Sequence, residues 1–393
     1  MSLERRIFRI SSTSIEVSAL TQIVYADNAA TTIMDVDAFE AMRLYLLQEY
    51  GNASQPYSFA RQPKKAIQEA RETVASCIGA LPEEIFFTSG GTESDNWAIK
   101  GTAFRNYDHR ATITSAFEHH AVLHACKAIE RLGCPVVYMW PDSKGYISPE
   151  MLERYITDET LLVSVMFANN EIGSIQPIKE LCDIAHAHGA LFHTDAVQAV
   201  GHIDIDVNDL GVDMLSASAH KFNGAKGVGF LYIRKGTPIT VYADGGAQEH
   251  GLRAGTENVA GIVSLAAALR KNVENLKANR EHIMGLQKML LDSLNESGIH
   301  YTRNGGDHTL PGIISLSFDG KDGEAILHRM DLMGICISTG SACDSKNTEI
   351  SHVLQALCMP ESLAKGTIRI SLGKNNTEED VNAIVEALKK ILL

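Results

Sequence analysis

Short apolar runs alternate with amphipathic stretches between about residues 25 and 234. Seven of these runs are typical of buried strands, because they are short, rich in β-branched or aromatic residues and bounded by polar or glycine positions. The predicted strands are Ile85–Thr88, Ala111–Ser115, Pro135–Met139, Leu161–Phe167, Ala190–Thr194, Asp213–Ser218 and Val228–Ile233. The stretches between strands predict helices, among them Pro63–Cys77, Glu93–Phe104, Ala121–Leu132 and Ile178–His188. This alternation predicts an α/β fold with a mainly parallel seven-stranded sheet flanked by helices.

The pattern changes near residue 261. Val263–Leu294 predicts one long helix, and short strands at Ile313–Phe318 and Thr367–Ser371 precede a closing helix at Glu378–Leu392. This mixture is typical of an α+β domain. We therefore predict a large domain over residues 25–262 and a smaller domain formed by residues 1–24 and 263–393. The first 24 residues join the small domain because they have no obvious place in the large sheet.

Composition and charge narrow the class of protein. The chain has 393 residues, of which 45% are hydrophobic and 21% charged, as is ordinary for a globular protein of two or three domains. Its net charge is −13, and an acidic chain repels phosphate backbones, which argues against direct binding to nucleic acid. No apolar run approaches the roughly 20 residues that a membrane span needs. The N-terminal residues contain no clean apolar core, so we expect a cytoplasmic protein without a secretory signal.

Seven cysteines are spread widely along the chain, at positions 77, 126, 134, 182, 336, 343 and 358. Their odd number and the lack of a CxxC pair argue against a disulfide framework or a structural zinc site. Cys343 lies in the sequence STGSACDS, residues 338–345, whose small polar residues predict an accessible thiol. The other six lie in apolar or helical contexts. Cys343 is therefore the candidate nucleophile.

Two ionisable residues follow predicted strands, and ligands in α/β sheets bind beyond the carboxyl ends of strands. Lys221 follows Asp213–Ser218 within the sequence SAHK, and it could form a Schiff base if its surroundings lower its pKa. The alternative is a solvated surface lysine. Asp195 follows Ala190–Thr194, and we weigh three roles for it: a helix N-cap, a metal ligand with His193, or the partner of a pyridinium nitrogen.

A phosphate site and an imidazole site are also indicated. The sequence TSGGTESDN, residues 88–96, lies between a strand and a helix, where small residues let backbone N–H groups approach a phosphate. It lacks the motifs of nucleotide and dinucleotide loops, and an ordinary capped turn is the alternative. His119 and His120 are adjacent and cannot share one helical face, which argues against metal binding. We expect an imidazole there to pack on a flat cofactor.

Taken in order, these elements closely resemble the cysteine desulfurases of the NifS/IscS type, which are pyridoxal 5′-phosphate (PLP) enzymes of fold type I. The matching motifs are YADNAATT (25–32), GN (51–52), TSGGTESDN (88–96), FEHHAV (117–122), ANNEIG (168–173), HTDAVQ (193–198), SAHKFNG (218–224), RAGTEN (253–258), STGSACDS (338–345) and TIRISLG (367–373). Each motif alone is modest, but the ordered set is specific and extends from Tyr25 almost to the end. The family commonly has Gly-Asn-Pro where this chain has GNASQPYS, a departure that removes no catalytic group.

The resemblance implies a role for each matching residue. Lys221 matches the lysine that carries PLP, Asp195 the partner of the pyridine nitrogen, and His119 the imidazole stacked on the ring, with a catalytic part as well. The remaining matches are Asn170 and Gln198 near the phenolic oxygen, Gly91, Thr92, Ser218 and His220 around the phosphate, and Thr256 as a phosphate contact from the neighbouring subunit. Arg369, with Asn170, matches the site for the substrate carboxylate. Cys343 matches the residue that accepts sulfur.

The implied activity is the PLP-dependent conversion of L-cysteine to L-alanine, with sulfur passed as a persulfide on Cys343 to a protein acceptor. That acceptor would be an iron–sulfur scaffold or a thiolation enzyme, and the protein would be a homodimer. No resident metal is expected, and a transient role for Cys343 as an iron–sulfur ligand stays open. Two alternatives remain: another fold-type I enzyme, such as a small-substrate aminotransferase or a selenocysteine lyase, and an inactive scaffold or regulator. The thiol in STGSACDS disfavours the first, and the competent residues at all matched positions disfavour the second.

Overall fold

The computed structural model describes residues 23–105, 110–339 and 350–393. The strands are β1 (Val24–Tyr25), β2 (Ile85–Thr88), β3 (Ala111–Ser115), β4 (Val136–Met139), β5 (Thr160–Ser164), β6 (Leu191–Asp195), β7 (Met214–Ser218), β8 (Gly229–Ile233), β9 (Thr302–Asn304), β10 (Ile313–Ser317), β11 (Ile335–Cys336) and β12 (Thr367–Ser371). The helices are α1 (Val36–Leu47), α2 (Arg61–Ile78), α3 (Gly91–Arg105), α4 (His120–Glu130), α5 (Pro149–Tyr155), α6 (Ile178–Ala187), α7 (Val207–Leu210), α8 (Val259–Glu274), α9 (Leu276–Glu296), α10 (Gly323–Asp331), α11 (His352–Ala356), α12 (Glu361–Lys365) and α13 (Glu378–Leu392). No helix among these is long and apolar enough to cross a membrane.

A seven-stranded sheet forms the centre of the molecule, with the strand order β2-β8-β7-β6-β5-β3-β4. Strands β7, β6, β5, β3 and β4 run parallel, and β8 runs antiparallel to both β7 and β2. The prediction of a mainly parallel seven-stranded sheet is confirmed. Strand β8 runs antiparallel to β7 because the connection between them, from residue 218 to residue 229, is short and contains no crossover helix. This connection carries Lys221.

Helices cover both faces of this sheet, so strands such as β5, β7 and β8 are buried along their whole length. Successive residues of β2 alternate between two cores: Ile85 and Phe87 pack with α2, α6 and α8 on one face, and Phe86 packs with α3 and α4 on the other. Because both faces are apolar, the carboxyl ends of the parallel strands are where polar side chains can gather.

The C-terminal part has its own sheet and core. Strand β10 pairs antiparallel with β9 and β12, and its apolar residues pack with α9, α10 and α13. The short strand β1 pairs parallel with β11, so the first described residues belong to this core. The helix α8 spans residue 262 and packs against α1 and α2 of the central region.

The prediction of one continuous helix over Val263–Leu294 is wrong. Two helices, α8 and α9, meet at Asn275, whose backbone angles (φ −108°, ψ 13°) are not helical. The Asn275 side-chain amide donates to the carbonyl of Lys271, and such local bonds compete with helix continuation. The two helices also pack differently, because α9 lies against α13 rather than against α1 and α2.

Candidate active site

A cavity of about 580 Å³ opens at the carboxyl ends of strands β6 and β7. Ten residues that the sequence predicted as site residues line it: Gly91, Thr92, His119, Asn170, Asp195, Gln198, Ser218, His220, Lys221 and Arg369. They come from segments that are far apart in the chain, and the order of strands in the sheet brings them together.

Lys221 lies in the tight turn that follows β7. Its Nζ donates to the carbonyl oxygens of Ala29 (2.6 Å) and Ala30 (2.9 Å), in the segment just after β1. The same segment contacts the site twice more, because Gln198 Nε2 donates to the Ala29 oxygen (3.0 Å) and His220 Nδ1 lies 3.1 Å from Thr31 Oγ1. Ala29, Ala30 and Thr31 therefore contact three predicted site residues.

Asp195 ends strand β6 and is almost fully buried. Its Oδ1 accepts from the backbone N–H of Val197 at 2.9 Å. Burial raises its pKa to about 6, while the Val197 N–H and the charge of Lys221 act in the opposite direction. A buried carboxylate of this kind is stabilised when a cationic group of a ligand pairs with it.

Asp95 of α3 lies beside Asp195 as a second buried carboxyl. Burial, and then the charge of Asp195, raises its pKa well above the usual range. Near neutral pH these shifts favour a single negative charge on the pair, with Asp95 as the carboxyl that more readily keeps a proton. Side-chain atoms of Asp95, Asp195 and His119 all lie within 4.8 Å of one another, so this charge is at the floor of the cavity.

His119 caps the N-terminus of α4, where its Nδ1 accepts from the backbone N–H of Ala121 at 3.2 Å. Burial, with smaller contributions from Lys221, His120 and His124, lowers its pKa to about 4. The ring is therefore neutral near pH 7, and because Nδ1 accepts, its proton is on Nε2. A neutral aromatic ring with one N–H donor faces the cavity.

The N-terminus of α3 forms one wall of the cavity. Helix α3 begins at Gly91, and a Cβ added there would lie 2.5 Å from Cγ2 of Val197, so a larger residue would disrupt this contact. The hydroxyls of Thr92 and Ser218 and the ammonium of Lys226 also line this region. The positive end of a helix combined with hydroxyl donors and an ammonium group suits a phosphate.

Arg369 lies in the middle of β12 and is buried. Its Nη1 donates to the carbonyl of Asn170 (2.9 Å) and its Nη2 to Oδ1 of Asp27 (2.7 Å). Arg369 lines the cavity from the three-stranded sheet, whereas Asp195 and Ser218 line it from the seven-stranded sheet. Asp27 also lines the cavity but was not predicted as a site residue, although it lies within the motif YADNAATT.

Of the predicted site residues that the structure describes, Thr256 does not line this cavity. Thr256 is exposed in the segment before α8. Cys343 lies outside the described residues. The residues that flank its segment are close to the site: Ser338 and Thr339 line the cavity, and on the other side His352 Nε2 lies 2.8 Å from the carbonyl of Glu118.

Comparisons with known proteins agree with this geometry. The family "Aminotransferase class-V" matches residues 24–384. The chain is 46% identical over 373 residues to the cysteine desulfurase IscS of Clostridium botulinum, and 47% identical over 378 residues to that of Dictyoglomus turgidum, with 94% of each chain covered in both pairs.

Solved structures give the same result. A NifS-like protein superimposes with a TM-score of 0.89 at 39% identity, covering 94% of this chain and 99% of the other. SspA in complex with cysteine superimposes with a TM-score of 0.81 at 36% identity, covering 90% of this chain and 99% of the other.

Proposed function

Because the chain belongs to the class-V aminotransferase family and is a PLP-dependent cysteine desulfurase, we propose that Lys221 and Cys343 divide its reaction between them. Lys221 serves the chemistry at the substrate Cα, and Cys343 receives the sulfur. The observation that supports this proposal most strongly is that ten predicted site residues line one cavity. The described residues on either side of the Cys343 segment lie at or beside that cavity.

The residues of the cavity fit PLP group by group. Lys221 supplies the amine that an aldehyde requires, and the buried charge of Asp195 matches a protonated ring nitrogen. The neutral imidazole of His119 suits stacking on the ring. The start of α3, with Thr92 and Ser218, suits the phosphate.

PLP, when bound, withdraws electrons from the substrate Cα and so allows its proton to leave. Lys221 Nζ takes that proton and later returns one, and the carbonyls of Ala29 and Ala30 hold this amine in place. Arg369, with Asn170, binds the substrate carboxylate. The Cys343 thiolate forms an S–S bond with the substrate sulfur as the substrate C–S bond breaks, which leaves alanine and a persulfide.

The protein is proposed to be a homodimer. Nine exposed large apolar side chains fall within residues 33–59: Ile33, Val36, Phe39, Leu44, Leu46, Leu47, Tyr50, Tyr57 and Phe59. Helix α1 buries only Ala38 of its own residues. A patch of this kind supports a subunit interface. The exposed position of Thr256 supports its assignment to the phosphate of the neighbouring subunit.

Sedimentation analysis tests the dimer. The double variant Val36→Asp/Leu47→Asp should sediment as a monomer, whereas Leu332→Asp, at a still more exposed leucine outside residues 33–59, should remain dimeric. A wild-type protein that sediments as a monomer would contradict the proposal.

The remaining parts of the proposal concern the sulfur acceptor, the cellular compartment and the domain organisation. The sulfur acceptor is a protein, either an iron–sulfur scaffold or a thiolation enzyme, and the reaction takes place in the cytoplasm. Residues 25–262 form the PLP-binding domain, and residues 1–24 and 263–393 form the small domain that carries Cys343. The net charge of −13 supports a protein acceptor over nucleic acid as the direct partner.

The direct test follows L-alanine and sulfide formation from L-cysteine in the presence of a reducing thiol. The wild-type protein should form both products, and Cys343→Ala should lose sulfide release. The matched control is Cys358→Ala, because Cys358 is an exposed thiol elsewhere on the surface, and it should keep full activity. Full activity of Cys343→Ala would contradict the role of Cys343.

A further inference from the structure

The guanidinium of Arg369 is already bound to a carboxylate of its own chain. Asp27 Oδ1 lies 2.7 Å from Nη2, and the side chains of Arg369 and Asp27 are only 8% and 19% exposed. Both residues line the cavity. In a site of low solvent exposure, such a charge-assisted hydrogen bond is stronger and more directional than a surface ion pair.

The backbone around Asp27 is fixed independently of Arg369. Asp27 forms an isolated parallel bridge with Ser371 of β12, and the Asn28 N–H donates to the Ser371 carbonyl at 3.1 Å. The Tyr25 hydroxyl donates to the Asp27 carbonyl at 3.1 Å, and Asn28 Nδ2 donates to Asn376 Oδ1 at 3.1 Å. These bonds place the Asp27 carboxylate at a set position beside β12.

Two hydrogen-bond acceptors therefore fix the orientation of the Arg369 guanidinium. The carbonyl of Asn170 binds Nη1 and the carboxylate of Asp27 binds Nη2, so the planar group is held at two points. A guanidinium has five N–H donors, and these two bonds leave others available for a ligand. Nε of Arg369 is buried and has no hydrogen-bond partner among the described residues.

Without Asp27, a buried guanidinium would lose its counterion and one of these two points. Its side chain would then lose rotational freedom only when substrate binds, and that ordering would weaken binding. An arginine that is held beforehand avoids this loss. The difference affects binding of the carboxylate and does not involve the groups near Lys221.

We propose that Asp27 is a positioning residue, which holds the Arg369 guanidinium in the orientation that receives the substrate carboxylate. This inference rests on the proposed role of Arg369 in binding that carboxylate. The ligand class is an α-amino acid with a free carboxylate, and both L-cysteine and the product L-alanine belong to it.

The test compares KM and kcat for L-cysteine in four variants of the PLP-loaded enzyme. Asp27→Asn keeps the shape and one acceptor oxygen but removes the charge, whereas Asp27→Ala removes both. The control Asp37→Asn removes a carboxylate that pairs at 2.6 Å with Lys271, in a nearby segment outside the cavity. Arg369→Lys tests the proposed carboxylate site itself.

Asp27→Asn should raise KM about tenfold, which corresponds to about 1.4 kcal/mol, and should change kcat by less than about twofold. Asp27→Ala should raise KM further, and Asp37→Asn should leave both constants unchanged. Calorimetric titration of L-alanine gives a second readout, since the dissociation constant of the product should rise by the same factor as KM. A residue with a merely structural role would lower the melting temperature without this selective rise.

The outcomes separate the two proposals. If Arg369→Lys raises KM while Asp27→Asn leaves it unchanged or lowers it, the positioning role is overturned and the carboxylate site stands. If Arg369→Lys leaves KM and L-alanine binding unchanged, the proposed role of Arg369 is overturned. Should Asp27→Ala fail to fold, the nearly isosteric Asp27→Asn still decides the question.

Discussion

The two sides of the cavity are built on different principles. The rim of the seven-stranded sheet contributes ionisable groups that burial has shifted far from their usual pKa, namely Asp95, His119 and Asp195. The opposite side, at β12, contributes an arginine in a close ion pair with Asp27. Desolvation controls protonation at the rim, and charge pairing controls geometry at β12. The rim is thus suited to chemistry on a cofactor, and the β12 side to recognition of a substrate.

The largest effect should come from the rim, at Lys221. Lys221→Ala removes the amine that we propose moves the Cα proton, so L-alanine formation should fall by at least about a thousandfold. The matched control is Lys179→Ala, which removes an exposed lysine that pairs with Asp209. If Lys221→Ala turned over within tenfold of the wild type, the chemistry would not depend on Lys221, and the proposed division between a catalytic rim and a substrate-binding β12 side would be wrong.

A hundredfold loss or more is expected for Asp195→Asn, because the buried carboxylate of Asp195 is the proposed partner of the PLP ring nitrogen. Asp95→Asn should cost much less, since burial and the charge of Asp195 raise the pKa of Asp95 and favour its neutral form. Measurement of kcat and of the affinity for PLP in both variants checks this order. Equal losses in the two variants would show that the charge is shared between them.

The third prediction concerns stability, at a buried carboxyl adjacent in sequence to His119. Glu118 is buried, and Ser115 Oγ and the backbone N–H of Met166 both donate to its Oε1 (2.5 and 2.9 Å). Burial raises its pKa to about 8. Because the unfolded protein ionises this group near pH 4.5 while the folded protein keeps the proton, stability should fall as pH rises from about 4.5 to about 8 and then level off.

Glu118→Gln should remove this part of the pH dependence. We compare the free energy of unfolding of the variant with that of the wild type at each pH. From pH 4.5 to pH 8 this difference should change by on the order of 2 kcal/mol in favour of the variant. This value is smaller than the full pKa shift of Glu118 would give, because the folded protein can relax around the charged group. Urea unfolding at the two pH values gives the comparison. An unchanged pH dependence would show that Glu118 is ionised in the folded protein.

Much of the sheet could be predicted from the sequence, because a strand buried on both faces is a short apolar run with clear ends. Ile85–Thr88 and Ala111–Ser115 have the predicted bounds. The predicted strand Leu161–Phe167 is shorter, since β5 ends at Ser164, although the N–H groups of Val165 and Phe167 still donate to the carbonyls of the next strand segment, at His193 and Asp195.

Three carboxyl groups whose chemistry the sequence did not reveal share one property. Asp27, Asp95 and Glu118 lie inside motifs that were recognised, but their chemistry depends on burial and on neighbours distant in the chain. A carboxylate in a linear sequence is most often solvated, and only the fold shows that Asp95 lies beside Asp195 or that Asp27 faces Arg369. The break at Asn275 was hidden for a similar reason, because the apolar spacing continues through it.

The most direct measurement of the central claim is to find where the substrate sulfur goes. The PLP-loaded enzyme is mixed with L-cysteine without reductant, its thiols are alkylated, and its peptides are analysed by mass spectrometry. We expect one added sulfur atom on Cys343, none on the exposed Cys358, and none on either residue in Lys221→Ala. Added sulfur on another cysteine, or on Cys343 in the absence of Lys221, would contradict the account.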